Sequence, residues 1–150
     1  MGVDHGLTVG IHAHAAGFMD FEPELERLLG EIPEDLLQIC FDTGHHSYAG
    51  FDPIAFMEKW ISRISYLHFK DIDPKVKADV IAKRNGFYDA CGQGIFCNLG
   101  DGDVYFSAAR QLLLDNEFQG WCTVEQDCDP TLDVRPVDDA RLNRTYLQSI

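Results

Sequence analysis

Apolar positions along the chain gather into four short runs, separated by longer stretches in which they recur every three or four residues. The runs cover 7–14 (LTVGIHAH), 36–42 (LLQICFD), 64–70 (ISYLHFK) and 119–125 (QGWCTVE). Each is mostly apolar and bounded by Gly, Asp or Pro, which predicts strands. Near-continuous apolar runs, rather than clean alternation, suit a parallel sheet covered on both faces. Between them, helical spacing predicts helices over 22–31, 53–61, 74–85, 105–116 and 136–149. In the first, Leu25, Leu28 and Leu29 form one stripe behind Asp20 as a cap. In the second, Asp52 precedes Pro53, and Ile54, Met57 and Ile61 share a face. The helix over 105–116 follows Asp103 and puts Phe106, Ala109 and Leu113 on one side. The Gly-rich, aromatic span 86–103 reads as a long loop of functional type.

The predicted order is four βα units with one long loop, hence a parallel α/β architecture. Four such units amount to half of an eight-stranded barrel, whose usual length is about 250 residues. An open sheet of this kind leaves two unpaired edges. Either a second copy closes it into a homo-oligomeric barrel, or these 150 residues are one part of a longer enzyme; the second is the expected reading.

Composition narrows the function. Twelve Lys and Arg stand against 25 Asp and Glu, a formal charge of −13. So acidic a surface repels nucleic acid and anionic lipid. No apolar run approaches the roughly 18 residues of a membrane span, and the first ten residues have no signal-type pattern. Cys40, Cys91, Cys97, Cys122 and Cys128 are odd in number and include no C-x-x-C pair, so free thiols in a reducing, cytoplasmic setting are expected. Cys40, within an apolar run, reads as a small core residue.

The polar residues that break the apolar runs fall at their carboxyl ends: His12 and His14, Asp42 with His45, His68, and Glu125. In α/β barrels that end carries the active site. His12 and His14, two apart on a strand, point to one side. Any one of these residues reads equally as a hydrogen-bonded packing group, and Asp42 as a turn residue. Their coincidence at all four strand ends predicts a joint divalent-metal site with mixed nitrogen and oxygen ligands.

Four segments carry a resemblance: FDTGHHSYAGFDP (41–53), YLHFKDI (66–72), FCNLGDGDVYF (96–106) and GWCTVEQD (120–127). With the His-rich IHAHAAG (11–17), they resemble the C-terminal half of the inosose dehydratase family, within the xylose-isomerase-like TIM barrel superfamily. The likeness runs over nearly the whole chain, so residues 1–150 are expected to form one domain. D-T-G-H alone is common to the superfamily; its combination with F-C-x-L-G and V-E-Q-D is more specific.

The resemblance implies metal ligands at Asp42, His68 and Glu125, with His12 standing where relatives often carry Glu and His14 as the alternative. It further implies manganese or cobalt, glutathione as a second cofactor, and a cyclic polyol ketone as substrate. The implied reaction is a hydro-lyase step in inositol catabolism, dehydrating 2-keto-myo-inositol (scyllo-inosose) to a trihydroxycyclohexane dione. Such chemistry needs proton transfer, for which His14 and His45 are candidates. Lys70, on the same side as His68, could hold an oxyanion or substrate hydroxyls; a salt bridge with Asp71 or another carboxylate is the alternative reading. Trp121 and Phe96 read as packing, and the 86–103 loop as a cover over the substrate ring. Alternatives are a keto-sugar isomerase or epimerase, an inactive half-barrel, and a DNA-repair endonuclease, which the acidic charge disfavours.

Overall fold

A computed structural model describes residues 2–131 and 135–150. A parallel sheet is its frame, made of β1 (Gly10–Ile11), β2 (Gln38–Asp42), β3 (Ile64–Phe69) and β6 (Trp121–Val124), adjacent in that order. In register, Ile11 lies beside Ile39, Asp42 beside His68, and His68 beside Thr123. Helices α1 (Glu22–Glu31), α3 (Pro53–Trp60), α6 (Phe106–Asp115) and α7 (Pro136–Ser149) follow the four strands in turn. The short α2 (Thr43–Tyr48) starts directly at the end of β2. The expected parallel βα succession is therefore present.

Period two along the strands decides which side chains enter the core. Ile39 and Phe41 of β2 and Leu67 and Phe69 of β3 pack with Leu25, Leu29, Phe56, Met57, Phe106 and Ala109 from the helices. Their alternates, Cys40, Asp42, Tyr66 and His68, face the other way. Among the described residues the helices cover one face of the sheet; the apolar runs suggested cover on both, but a half-barrel of four units leaves its barrel-facing surface open. Trp121 on the last strand is 77% exposed, so it is not the packing aromatic that the sequence suggested, whereas Phe96 is buried. Cys40 is half-buried beside His68, not in the core.

Local chemistry sets the helix starts. Asp52 Oδ1 accepts from the Ile54 N–H at 2.9 Å, as its position before Pro53 predicts. At α1 the cap is Phe21, not Asp20: the Asp20 carboxylate turns back to the Gly17 N–H at 2.7 Å. The span 86–103 is not one loop. It holds α5 (Phe87–Gly92) and β5 (Phe96–Cys97), which pairs antiparallel with β4 (Asp71–Ile72). With α4 (Pro74–Lys83), these build a second small core from Ala15, Ile72, Val80, Phe87, Ala90, Ile95 and Phe96.

The end of β3 is held by Asp71, which is fully buried. Its carboxylate accepts four backbone N–H groups: Ile72 and Val104 on one oxygen (2.9 and 3.1 Å), Gly100 and Gly102 on the other (2.8 and 3.0 Å). The L-G-D-G turn thus wraps a carboxylate, and a side chain at Gly102 would collide with it. Asp71 is occupied in this way and does not pair with Lys70.

Candidate metal centre

All four strands of the main sheet deliver polar side chains to the same rim. His12 follows β1, Asp42 ends β2, His68 lies in β3 and Glu125 follows β6. One ligand-type atom from each, His12 Nε2, Asp42 Oδ2, His68 Nδ1 and Glu125 Oε2, lies within 4.8 Å of every other. Asp42 Oδ2 is 3.6 Å from His12 and 3.5 Å from His68, and His68 is 2.9 Å from Glu125 Oε2.

These atoms are buried, and none has a hydrogen-bond partner. Asp42 shows the contrast within one carboxylate. Its Oδ1 caps α2 by accepting from the His45 N–H at 2.9 Å, while Oδ2 is left to the cluster. Buried polar atoms are otherwise almost always paired. Separations of this size also match the edges of a tetrahedral ligand set, roughly 3.4 Å for bonds near 2.1 Å. The donor set therefore fits a divalent cation of the borderline class.

Electrostatics point the same way. Burial works to raise the Asp42 pKa, but the nearby His12 and His68 rings and the charge of Lys70 outweigh it and hold the carboxyl well below the usual range. The close Asp42 carboxylate pushes His68 up, against burial. The Cys40 thiol is pushed up to about 11, first by burial and then by the charges of Asp42 and Glu125, so it stays a neutral neighbour of the cluster.

A second group lies beside the first: His14, His45 and Asp127. Lys70 Nζ, almost fully buried, donates to His45 Nε2 and to Asp127 Oδ2, both at 3.0 Å, so two of the three donors already serve an ammonium. Burial drives the His45 pKa down to about 3, which keeps the ring neutral and its Nε2 able to accept. His14 is exposed, its Nδ1 is 2.7 Å from the Ala15 carbonyl, and its ring lies 3.7 Å from that of His45. Lys70 Nζ also lies 3.3 Å from Asp42 Oδ2 and 3.2 Å from Glu125 Oε2. Three carboxylates around one ammonium leave two formal negative charges, the complement of a dication.

The candidate metal and proton-transfer residues thus fall into two adjoining groups bridged by Lys70, with His12 and not His14 beside Asp42 and His68. Asp127 was missed, although V-E-Q-D at period two puts it on the same side as Glu125.

A rim of His, Asp and Glu at the carboxyl ends of parallel βα units defines an α/β-barrel protein with a candidate divalent-metal centre. The chain belongs to the xylose isomerase-like TIM barrel family, which it matches over residues 2–150. It is 29% identical to an inosose dehydratase of Clostridium botulinum over 148 residues, covering 99% of this chain and 49% of that protein. Among solved structures it resembles the probable 3-DHS dehydratase AsbF of Bacillus anthracis, with a TM-score of 0.73 and 22% identity over 97% of this chain and 50% of that one. It also resembles the IolI protein with a bound zinc atom, with a TM-score of 0.68 and 13% identity over 97% and 49% of the two chains. The chain therefore spans about half the length of the relatives it matches. No helix among the described residues is long and apolar enough to cross a membrane.

Proposed function

We propose that residues 1–150 form the metal-holding, C-terminal half of a barrel hydro-lyase that dehydrates a cyclic polyol ketone. The substrate we assign is 2-keto-myo-inositol, and the product a trihydroxycyclohexane dione. One observation carries the reading: four buried, unpartnered donor atoms from four successive strands converge on a common point. The dehydratase names of its relatives support the reaction class, and the zinc atom bound by IolI supports a metal.

In this reading His12, Asp42, His68 and Glu125 hold the ion, with manganese or cobalt the first candidates. A bound dication would supply Lewis acidity toward a ketone oxygen. The protein's own groups then handle protons. His14, exposed at the rim, takes the proton from the carbon next to the ketone, and the C–O bond to the neighbouring carbon breaks. The departing hydroxyl leaves as water with a proton returned by the same pair of rings, His14 and His45. Burial keeps His45 neutral, able to back the His14 ring. Lys70 keeps its charge, since the carboxylates around it raise its pKa against burial; it offsets negative charge as that develops on the substrate.

A second half-barrel is needed to surround the substrate; we assign that role to the remainder of a longer enzyme, with a second copy of this chain as the alternative. In support, β1 and β6 each have one neighbour in the sheet, and Trp121 is exposed on the β6 edge. The five free cysteines support a reducing, cytoplasmic setting.

The test is calorimetric titration of manganese and cobalt into the chain and into an Asp42→Ala, Glu125→Ala variant. It is followed by a dehydration assay on 2-keto-myo-inositol, with and without glutathione. Stoichiometric binding lost in the variant, with formation of the dione, is expected. A folded wild-type chain that binds neither metal would overturn the metal site, and binding without turnover would limit the chain to a metal-binding half-barrel.

A further inference from the structure

The D-T-G-H segment is built around Lys70 as much as around a metal. Asp42 Oδ2 lies 3.3 Å from Nζ. Thr43 Oγ1 accepts from the Lys70 N–H at 3.0 Å and donates to its carbonyl at 2.8 Å. Gly44 leaves room for the lysine stem: a Cβ there would lie 2.5 Å from Lys70 Cγ and 2.7 Å from its Cβ. His45 accepts from Nζ. Asp42 and His45 thus meet the Lys70 ammonium, Gly44 clears its stem and Thr43 holds its backbone; the ammonium also lies 4.8 Å from the centre of the Phe96 ring.

The ammonium has three N–H donors and four acceptors around it. Two are hydrogen-bonded, His45 Nε2 and Asp127 Oδ2. The other two, Asp42 Oδ2 and Glu125 Oε2, are close but lack hydrogen-bond alignment, and they are atoms assigned above to the ion. A cation and an ammonium cannot both take the same lone pairs without repelling each other.

We propose that Lys70 is an internal counter-cation that shares Asp42 and Glu125 with the metal ion and stays on Asp127 and His45, yielding the other two, when the ion enters. It keeps the clustered carboxylates together in the metal-free protein and weakens the ion's binding by its own charge. The proposal rests on the metal reading given above. It makes Lys70 a positioning residue, with Asp127 as the partner that draws it off the ligands. Asp127 is the less buried end of the pair, its side chain 41% exposed against 1% for Lys70, so it can be altered with little risk to folding.

The experiment is manganese titration of the full chain as wild type, Lys70→Met, Asp127→Asn and the double variant, with thermal unfolding of each before and after metal. Lys70→Met is expected to bind manganese about tenfold or more tightly than wild type, because a unit charge within a few ångströms of the ion is removed. Its metal-free form should melt lower and recover with manganese. Asp127→Asn should weaken binding while Lys70 is present and have a clearly smaller effect in the Lys70→Met background. Folded Lys70→Met with equal or weaker affinity would overturn the proposal, as would an Asp127→Asn effect of equal size in both backgrounds. Should Lys70→Met not fold, unchanged or tighter binding by Asp127→Asn overturns it and weaker binding supports it. Binding by neither wild type nor Lys70→Met defeats the metal reading and this proposal together, whereas binding by wild type with no gain in Lys70→Met defeats this proposal alone.

Discussion

Thr43 and Lys70 are joined by a two-way hydrogen bond across the ends of β2 and β3: one buried hydroxyl donates to the Lys70 carbonyl at 2.8 Å and accepts from the Lys70 N–H at 3.0 Å. Beyond the last ladder pair of the two strands, Asp42 with His68, this bond fixes where Lys70 stands relative to Asp42. Thr43→Val keeps the shape and removes both bonds, leaving a buried N–H without its acceptor. The expected loss is about 1–3 kcal/mol, measured as a lower urea midpoint with unchanged slope. An unaltered midpoint would show that the contact does not hold the strand ends.

Asp71 gives a second, separable test. Its four backbone N–H donors are split between two oxygens, two on each. Asp71→Asn retains one acceptor oxygen and turns an NH2 group toward the other two donors. About 3 kcal/mol of stability should be lost, with hydrogen exchange rising first at Gly100, Gly102 and Val104. Uniform exchange across the chain would argue against a local clamp.

The strand order and the six polar residues of the rim were legible because a parallel strand repeats every second residue and its carboxyl end is where apolar runs break. The expected strand over 7–14 is only Gly10–Ile11 here. It pairs with β2 alone, and apolar content cannot reveal how many residues find a neighbour. The helix Phe87–Gly92 was hidden by its brevity and by the glycines at Gly86, Gly92 and Gly94. Cys40 was misread because apolar composition was weighed above alternation: two residues before Asp42, it shares the face of Asp42. Asp127, two residues after Glu125, was missed although the same period places it.

Trp121 tests the alternative assignment of a second copy to the open sheet edge. Its side chain is 77% exposed on β6, where it contributes little burial to the isolated chain. Trp121→Ser should change the stability of the monomer by no more than about 0.5 kcal/mol and should weaken self-association in sedimentation equilibrium. A wild type that stays monomeric at working concentration sinks the assignment, whatever the variant does.

His46 makes the fold pH-dependent at a point away from the proposed ligands. Its ring is buried against Phe41 and Phe56, with Nε2 3.0 Å from Glu22 Oε2. Burial lowers its pKa from 6.5 to about 4, the carboxylates of Asp52 and Glu26 opposing this only in part. The folded chain therefore binds this proton less readily than the unfolded chain. Its contribution is complete above the unfolded value and is lost as pH falls from 6.5 toward 4, by up to about 3 kcal/mol. Glu22, raised first by burial, titrates with the opposite sign near the lower end, so the slope is steepest in the upper part of the window. His46→Gln should be less stable at neutral pH through lost packing, yet flatter in its urea midpoint between pH 6.5 and 5. A variant whose midpoint falls as steeply as the wild type would assign the acid sensitivity to other groups.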